Sequence, residues 1–206
     1  AGEGVGRPHE QGRTGMIVYL AIMPVVHFDS LPPDARVWVF ASDRPLEGAD
    51  AKLLLGEVDA WLDQWKAHGA PLRSAREWRD DRFLAIGVDP TAEQASGCSV
   101  EALFRRLQEV ERQLHTSLVA GGRIFYRDPD GQARVAQRGD VSRLGAAGQL
   151  TATTPTFDTS LTDARGWRES FERPAAETWI AWLLPRPQES QPTSRSETKA
   201  SSLRNG

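Results

Sequence analysis

Hydrophobic and polar positions follow two periods in the first third of the chain, and each period predicts one element. A short run of β-branched and aromatic residues predicts a strand within 35–46, which the turn-forming letters SDRP end. Apolar residues then recur at helical spacing, which predicts an amphipathic helix over 48–69 with Gly69 as its C-terminal stop. The residues of this stripe are Leu54, Val58, Trp61, Leu62 and Trp65.

Two strands and a second helix follow in the same pattern. Residues 70–78 and 82–89 predict strands joined by a charged turn, and 82–89 is apolar on both faces, as expected of a central strand. A helix is predicted to begin near Cys98, with Ser96 or Ser99 as its N-cap. Its apolar stripe consists of Val100, Leu103, Phe104, Leu107, Val110 and Leu114.

The C-terminal half is predicted to begin with a β-hairpin over 122–137, because DPDG is a typical turn between two alternating runs. Weaker signals follow along the chain. They are a short helix VSRLGAAG capped by Asp140, a strand within 154–161, a helix capped by Thr162 around Trp167 and Phe171, and an apolar closing segment 172–184.

This order of elements predicts the fold class. It is β-α-β-β-α-β-β followed by C-terminal helices, which indicates an α+β fold with two main amphipathic helices packed on a mixed or antiparallel sheet. We assign the single domain to residues 23–184, since its 206-residue chain is long enough for one core of ordinary size.

The two ends differ from this domain. Residues 1–22 are expected to be disordered or to lie upstream of the true start, for which Met23 is the candidate. The apolar run 16–26 is shorter than the roughly 20 residues that a membrane-spanning helix needs. Residues 185–206 are rich in Pro, Ser and charge and predict a disordered tail.

Composition narrows the partners. With 39% hydrophobic and 26% charged residues the composition is typical of a soluble globular protein. Its net charge of −3 argues against nucleic acid as a partner, because phosphate binding needs a surplus of Lys and Arg on one face. A single cysteine allows no internal disulfide and no zinc site of paired cysteines.

Cys98 is the main candidate for chemistry. A helix N-terminus stabilises a thiolate, and Gly97 beside it allows a substrate to approach closely. The base for such a thiol would be His68 or His115, and Asp89 at the end of the predicted central strand could orient it. The alternative, which we favour from sequence, is that Cys98 fills a small space beneath a tight turn.

Binding residues are expected at the same turn and on the aromatic strands. Ser96, Gly97 and Ser99 surround the predicted helix start, and Trp38 or Trp78 could line a cleft or an apolar patch. Spacing forces no group of ligands to converge, so neither a metal nor a cofactor is predicted. The chain has no G-x-x-x-x-G-K-[ST] loop, no G-x-S-x-G elbow and no H-E-x-x-H pair.

Residues 35–184 resemble a family of small bacterial proteins of the Bacteroidota type. The resemblance rests on ARVWVFASDRPL, WKAHGAPL, RFLAIGVD, ASGCSV and PAAETW, with Val100–Glu101 where the family usually has Ile-Asp. The family is commonly labelled "ABC transporter ATPase", although this chain has no glycine-rich loop with a lysine to hold phosphates. The resemblance implies a cytoplasmic bacterial domain that starts close to the first strand.

These observations favour a non-catalytic binding or adaptor domain for an unknown small molecule or protein. Two alternatives remain at this point. One is a small thiol-dependent enzyme that uses Cys98 with His68, and the other is a transporter accessory without ATPase activity of its own.

Overall fold

The computed structural model describes residues 25–67, 69–91, 95–119 and 121–185. Segment 1–22 and all but the first residue of 185–206 lie outside them, as does His68. Thirteen helices and strands are described, in the order β1 Arg36–Ala41, α1 Gly48–Leu62, β2 Lys66–Ala67, β3 Ala70–Pro71, β4 Ser74–Arg79, β5 Phe83–Val88, α2 Gly97–Leu114, β6 Arg123–Arg127, β7 Ala133–Gln137, α3 Val141–Ala146, β8 Pro155–Phe157, α4 Ala164–Glu169 and β9 Glu172–Pro174. The α+β prediction is confirmed.

The described strands form two main antiparallel sheets. The first has the order β1-β5-β4, with Trp38 opposite Ile86 and Trp78 opposite Leu84. The second has the order β7-β6-β8-β9 and contains the predicted hairpin as β6 and β7. Strand β5 is central and buried throughout, as its apolar sequence predicts.

Burial of both faces of β5 results from a layered arrangement. Leu84, Ile86 and Val88 face a core that α1 and α2 cover with their apolar stripes. Phe83 and Ala85 face the other way, into an aromatic core between the two sheets. A smaller third core lies on the far side of β6 and is closed by α3 and the C-terminal 3₁₀ segments. The layers therefore follow one another in the order helix, sheet, sheet and helix.

The first helix is shorter than predicted. It ends at Leu62, and the chain then forms a small β2–β3 hairpin in which Gly69 has a φ of +85°. Trp65 is consequently not on the helical face that it was predicted to share with Trp61. It is 2% exposed and packs on Trp38, so burial of a large indole outweighs continuation of the helix.

Two helix caps in the C-terminal half also differ from prediction. Helix α4 is capped by Asp163, whose Oδ1 accepts from the N–H of Gly166, rather than by Thr162. Asp140 precedes α3 without capping it and accepts instead from the N–H of Gln137. The closing segment, for which only apolar character was predicted, forms β9 and two 3₁₀ turns, Ala175–Glu177 and Trp179–Leu183.

Candidate functional site

A cavity of about 200 Å³ lies at one end of the first sheet. Arg36 and Trp38 of β1 line it together with Val88 at the end of β5, and Pro90 and Ala95 close it. Arg36 pairs with Val88 and Trp38 with Ile86, so these side chains share the face of the sheet that the helices cover. Regular strands therefore supply most of the wall.

Trp38 packs against two neighbouring side chains. Its ring centroid lies 5.9 Å from that of Trp65, which is buried in the helix-side core. The guanidinium carbon of Arg36 lies 4.6 Å from the Trp38 ring centroid, in cation–π contact. Trp38 was predicted from the sequence as a binding residue, whereas Arg36 was not. The signal that could have found it is the spacing of two, which places both residues on one face of a strand.

Asp89 is buried beside this cavity, 2% exposed, and its carboxylate is fully engaged. Oδ1 accepts from both the N–H and the hydroxyl of Thr91, and Oδ2 accepts from Arg73 at 2.8 Å. Burial raises the pKa of Asp89, but the bonds from Thr91 and Arg73 outweigh it and hold that pKa below its ordinary value. Asp89 thus fixes the turn after β5.

The start of α2 matches the predicted cap. The hydroxyl of Ser96 accepts from the N–H of Ser99, and the Ser99 hydroxyl donates to the Ser96 carbonyl. A Cβ added at Gly97 would meet no atom within 4 Å, so packing in the described structure does not require a glycine there. Ala95, one residue before the cap, lines the cavity.

Cys98 is exposed, so the interpretation that it fills a small space beneath the turn is wrong. Because it is the second residue of α2, its side chain is free to extend outside the helix-side core. Within the described part of the chain it has no hydrogen bond with Asp89 or with a histidine.

The proposed bases are not brought to Cys98 in the described structure. His115 is the C-cap of the helix that begins beside Cys98, about 26 Å away at 1.5 Å per residue. His68 was placed in the last turn of a helix that in fact ends at Leu62, and the residue itself lies outside the described ranges.

Trp78 does not join Trp38 at the cavity. It lies on β4 opposite Leu84 and packs, partly buried, against the helix-side core. Its indole Nε1 is buried without a hydrogen-bond partner. A binding role for Trp78 is therefore not favoured by its position.

A polar depression at the other end of α2 was not foreseen from sequence. The Thr116 hydroxyl donates to Asp43 at 2.6 Å and accepts from Ser42 at 2.8 Å. Burial raises the pKa of Asp43, but bonds from Thr116 and the Ser117 backbone with the charge of Arg123 outweigh it and lower the pKa. Ser42 is completely buried, so this chain of hydroxyls joins β1 to the loop after α2 instead of presenting a nucleophile.

The C-terminal 3₁₀ segment carries the largest exposed apolar side chains of the described residues. Trp182 is 92% exposed and Trp179 is 43% exposed. An apolar cavity of about 390 Å³ lies next to them and is lined by Leu150, Ala181, Leu184 and Pro185 among others. The sequence predicted only that 172–184 is an apolar closing segment, and the structure shows that these two of its tryptophans face outward.

Comparison of the chain with protein-family models, curated proteins and solved structures gave no match. We therefore infer its function from the geometry of the chain itself. Across the described ranges, no group of three His, Cys, Asp or Glu side chains is arranged to hold a metal ion. No helix in those ranges is both long and apolar enough to cross a bilayer.

Proposed function

We propose that this chain is a non-catalytic binding domain that takes a small, flat molecule in the cavity at Trp38. The observation that carries the proposal is the placement of an indole and a guanidinium together in the wall of a cavity. Aromatic side chains with one or two polar groups are the usual lining of small-molecule sites. A volume of about 200 Å³ is below the usual range for drug-sized ligands, which points to a ligand of fragment size.

The site is also preformed. Trp38 and Val88 lie on paired strands, and Trp65 packs on Trp38. A ligand would meet a wall that does not need to be ordered first, which lowers the entropic cost of binding. Asp89 stabilises this wall, because its hydrogen bonds with Thr91 fix the turn that contains Pro90.

Indole is a suitable first probe, because it is flat, neutral and small. We expect a titration of the full chain with indole, followed by ¹H–¹⁵N NMR, to shift the Trp38 side-chain signal with a millimolar dissociation constant. Ala95→Leu adds bulk to the wall and should abolish the shift. Ala181→Leu makes the same change at the other apolar cavity and should leave it intact.

The proposal fails if indole and the flat molecules benzamide and benzoate all produce no saturable shift at Trp38. It also fails if Ala95→Leu binds indole as well as the unsubstituted chain does, because the cavity would then not be the site.

One observation favours a second candidate, a thiol-dependent enzyme. Cys98 is exposed at the start of an α-helix, where the backbone N–H groups favour an anion. The test is the rate of iodoacetamide reaction with the folded protein at neutral pH, beside free cysteine. A rate well above that of free cysteine, lowered by His68→Ala, supports the enzyme. A rate at or below it contradicts the thiol mechanism.

A further inference from the structure

We infer that the ligand of the Trp38 cavity is an anion, specifically a small carboxylate with a flat apolar body, bound through the edge of the Arg36 guanidinium. This inference rests on the proposed function, since it names the ligand class of the same site.

Stacking leaves the hydrogen-bonding capacity of an arginine unused. The face of the guanidinium lies over the aromatic ring, whereas its five N–H groups point outward in its own plane. An arginine held in this way presents a fixed fork of donors that matches the two oxygens of a carboxylate. The guanidinium carbon of Arg36 lies over the Trp38 ring at the distance of such a contact, and the residue is exposed, so its N–H groups are accessible to a ligand.

The other stacked arginines of the described structure illustrate the rule. Arg79 lies over Trp167 and donates from its edge to Glu77. Arg127 lies over Phe157 and donates to Glu172 and Asp80. Arg123 and Arg168 lie over phenylalanines and donate to backbone carbonyls.

Arg36 and Arg138 are the two stacked arginines for which the described residues provide no edge acceptor. Arg138 lies over Trp179, and it does not line the neighbouring cavity. Arg36 does line a cavity. It therefore combines an unused donor fork with room for the molecule that would occupy it.

Two acids lie beside Arg36 or its cavity in the described structure, and the carboxylates of both are engaged elsewhere. Asp163 forms an isolated bridge with Arg36 through the backbone, but its carboxylate caps α4 at Gly166. The carboxylate of Asp89 is shared between Thr91 and Arg73. Neither forms an ion pair with Arg36, so a carboxylate from the ligand would be its acceptor.

Benzoate and benzamide test the charge at constant shape. We expect the full chain to bind benzoate at least ten-fold more tightly than benzamide, with both read from the Trp38 indole signal by NMR. Arg36→Gln should reduce this ratio to about one. Arg36→Lys retains the charge but not the fork and should give an intermediate ratio. Arg138→Gln, which removes the other unpaired stacked arginine, should leave the ratio unchanged.

The outcomes separate the two proposals. If benzoate and benzamide bind equally, or if indole binds and benzoate does not, the anion inference is overturned and the binding domain stands. If indole, benzoate and benzamide all fail to shift the Trp38 signal, both proposals are overturned. If Arg36→Gln retains the full benzoate preference, the preference arises elsewhere and the assignment to Arg36 is wrong.

Discussion

Leu31 lies against the backbone of Gly87 near the end of the central strand, so closely that a Cβ on Gly87 would be 2.5 Å from Leu31 Cδ1. The same Cβ would lie 3.2 Å from the ring of Phe28. Both side chains are buried in the core between the sheets, 3% and 5% exposed. The absence of a side chain at Gly87 is what allows the segment before β1 to pack on β5.

Gly87→Ala should therefore destabilise the fold by overpacking, by about 1–3 kcal/mol. Urea unfolding measures the change. Leu31→Ala alone should cost about 2–5 kcal/mol, because it leaves a cavity. In the double variant the new methyl enters that cavity, so its cost should be clearly less than the sum of the two. Additive costs would contradict the contact.

The ion pair of Asp89 with Arg73 predicts a pH dependence of stability. The folded pKa of Asp89 is lowered, so near that pKa the unfolded chain binds more protons than the folded chain. The stabilisation is present above the ordinary pKa of about 3.9 and is lost as pH falls through the folded value. Asp89→Asn should lower the free energy of unfolding by about 1.5–3 kcal/mol at neutral pH.

Urea unfolding at a series of pH values between neutral and strongly acid checks this. The difference between the unsubstituted chain and Asp89→Asn should shrink toward low pH. Exposed Asp130→Asn serves as the matched control and should show no such convergence. A difference that stays constant with pH would show that the lost contact was not one of charge.

Ser96 predicts a capping effect at the start of α2. Its hydroxyl accepts from the N–H of Ser99, so Ser96→Ala should destabilise the protein by about 1 kcal/mol. Ser96→Asp keeps an acceptor and adds a negative charge at the positive end of the helix, so it should retain the stability or raise it. Thermal unfolding compares the three proteins. Equal losses in both variants would mean that the site does not act as a cap.

Trp182 and Trp167 should respond in opposite ways to quenching and to unfolding. Trp182 is 92% exposed, whereas Trp167 is fully buried and donates from Nε1 to Glu77 at 2.8 Å. Trp182→Phe should reduce acrylamide quenching of the fluorescence and change stability by no more than about 0.5 kcal/mol. Trp167→Phe should leave quenching high and cost about 1–3 kcal/mol, since Glu77 keeps its bond from Arg79 but loses the one from the indole. Because Trp179 is also exposed, some quenching will remain, and quenching that is unchanged by Trp182→Phe would contradict the exposure of Trp182.

Much of the fold follows from local pattern. The apolar stripe from Val100 to Leu114, the all-apolar letters of 83–88 and the DPDG turn each specify an element through residues that are adjacent in sequence. The Ser96 cap is similarly local, because the donor and acceptor are three residues apart. Such signals require no knowledge of what packs against them.

Other features were decided only by tertiary contacts. Helix α1 ends at Leu62, before Trp65, because the indole of Trp65 packs on Trp38 of β1, which is distant in sequence. Cys98 is exposed, although a free cysteine is more often buried, and this depends on where the start of α2 meets solvent.

The candidate site shows the same division. The sequence predicted Trp38 on a strand, Asp89 at the end of the central strand and Ser96 at a helix start, and each of these is a local property. It did not reveal that Val88, Pro90 and Ala95, next to these residues in the chain, enclose one cavity with Trp38, nor that Arg36 has no acceptor among the described residues there. An unpaired guanidinium is defined by the groups that surround it in space, and residues distant in sequence supply those groups.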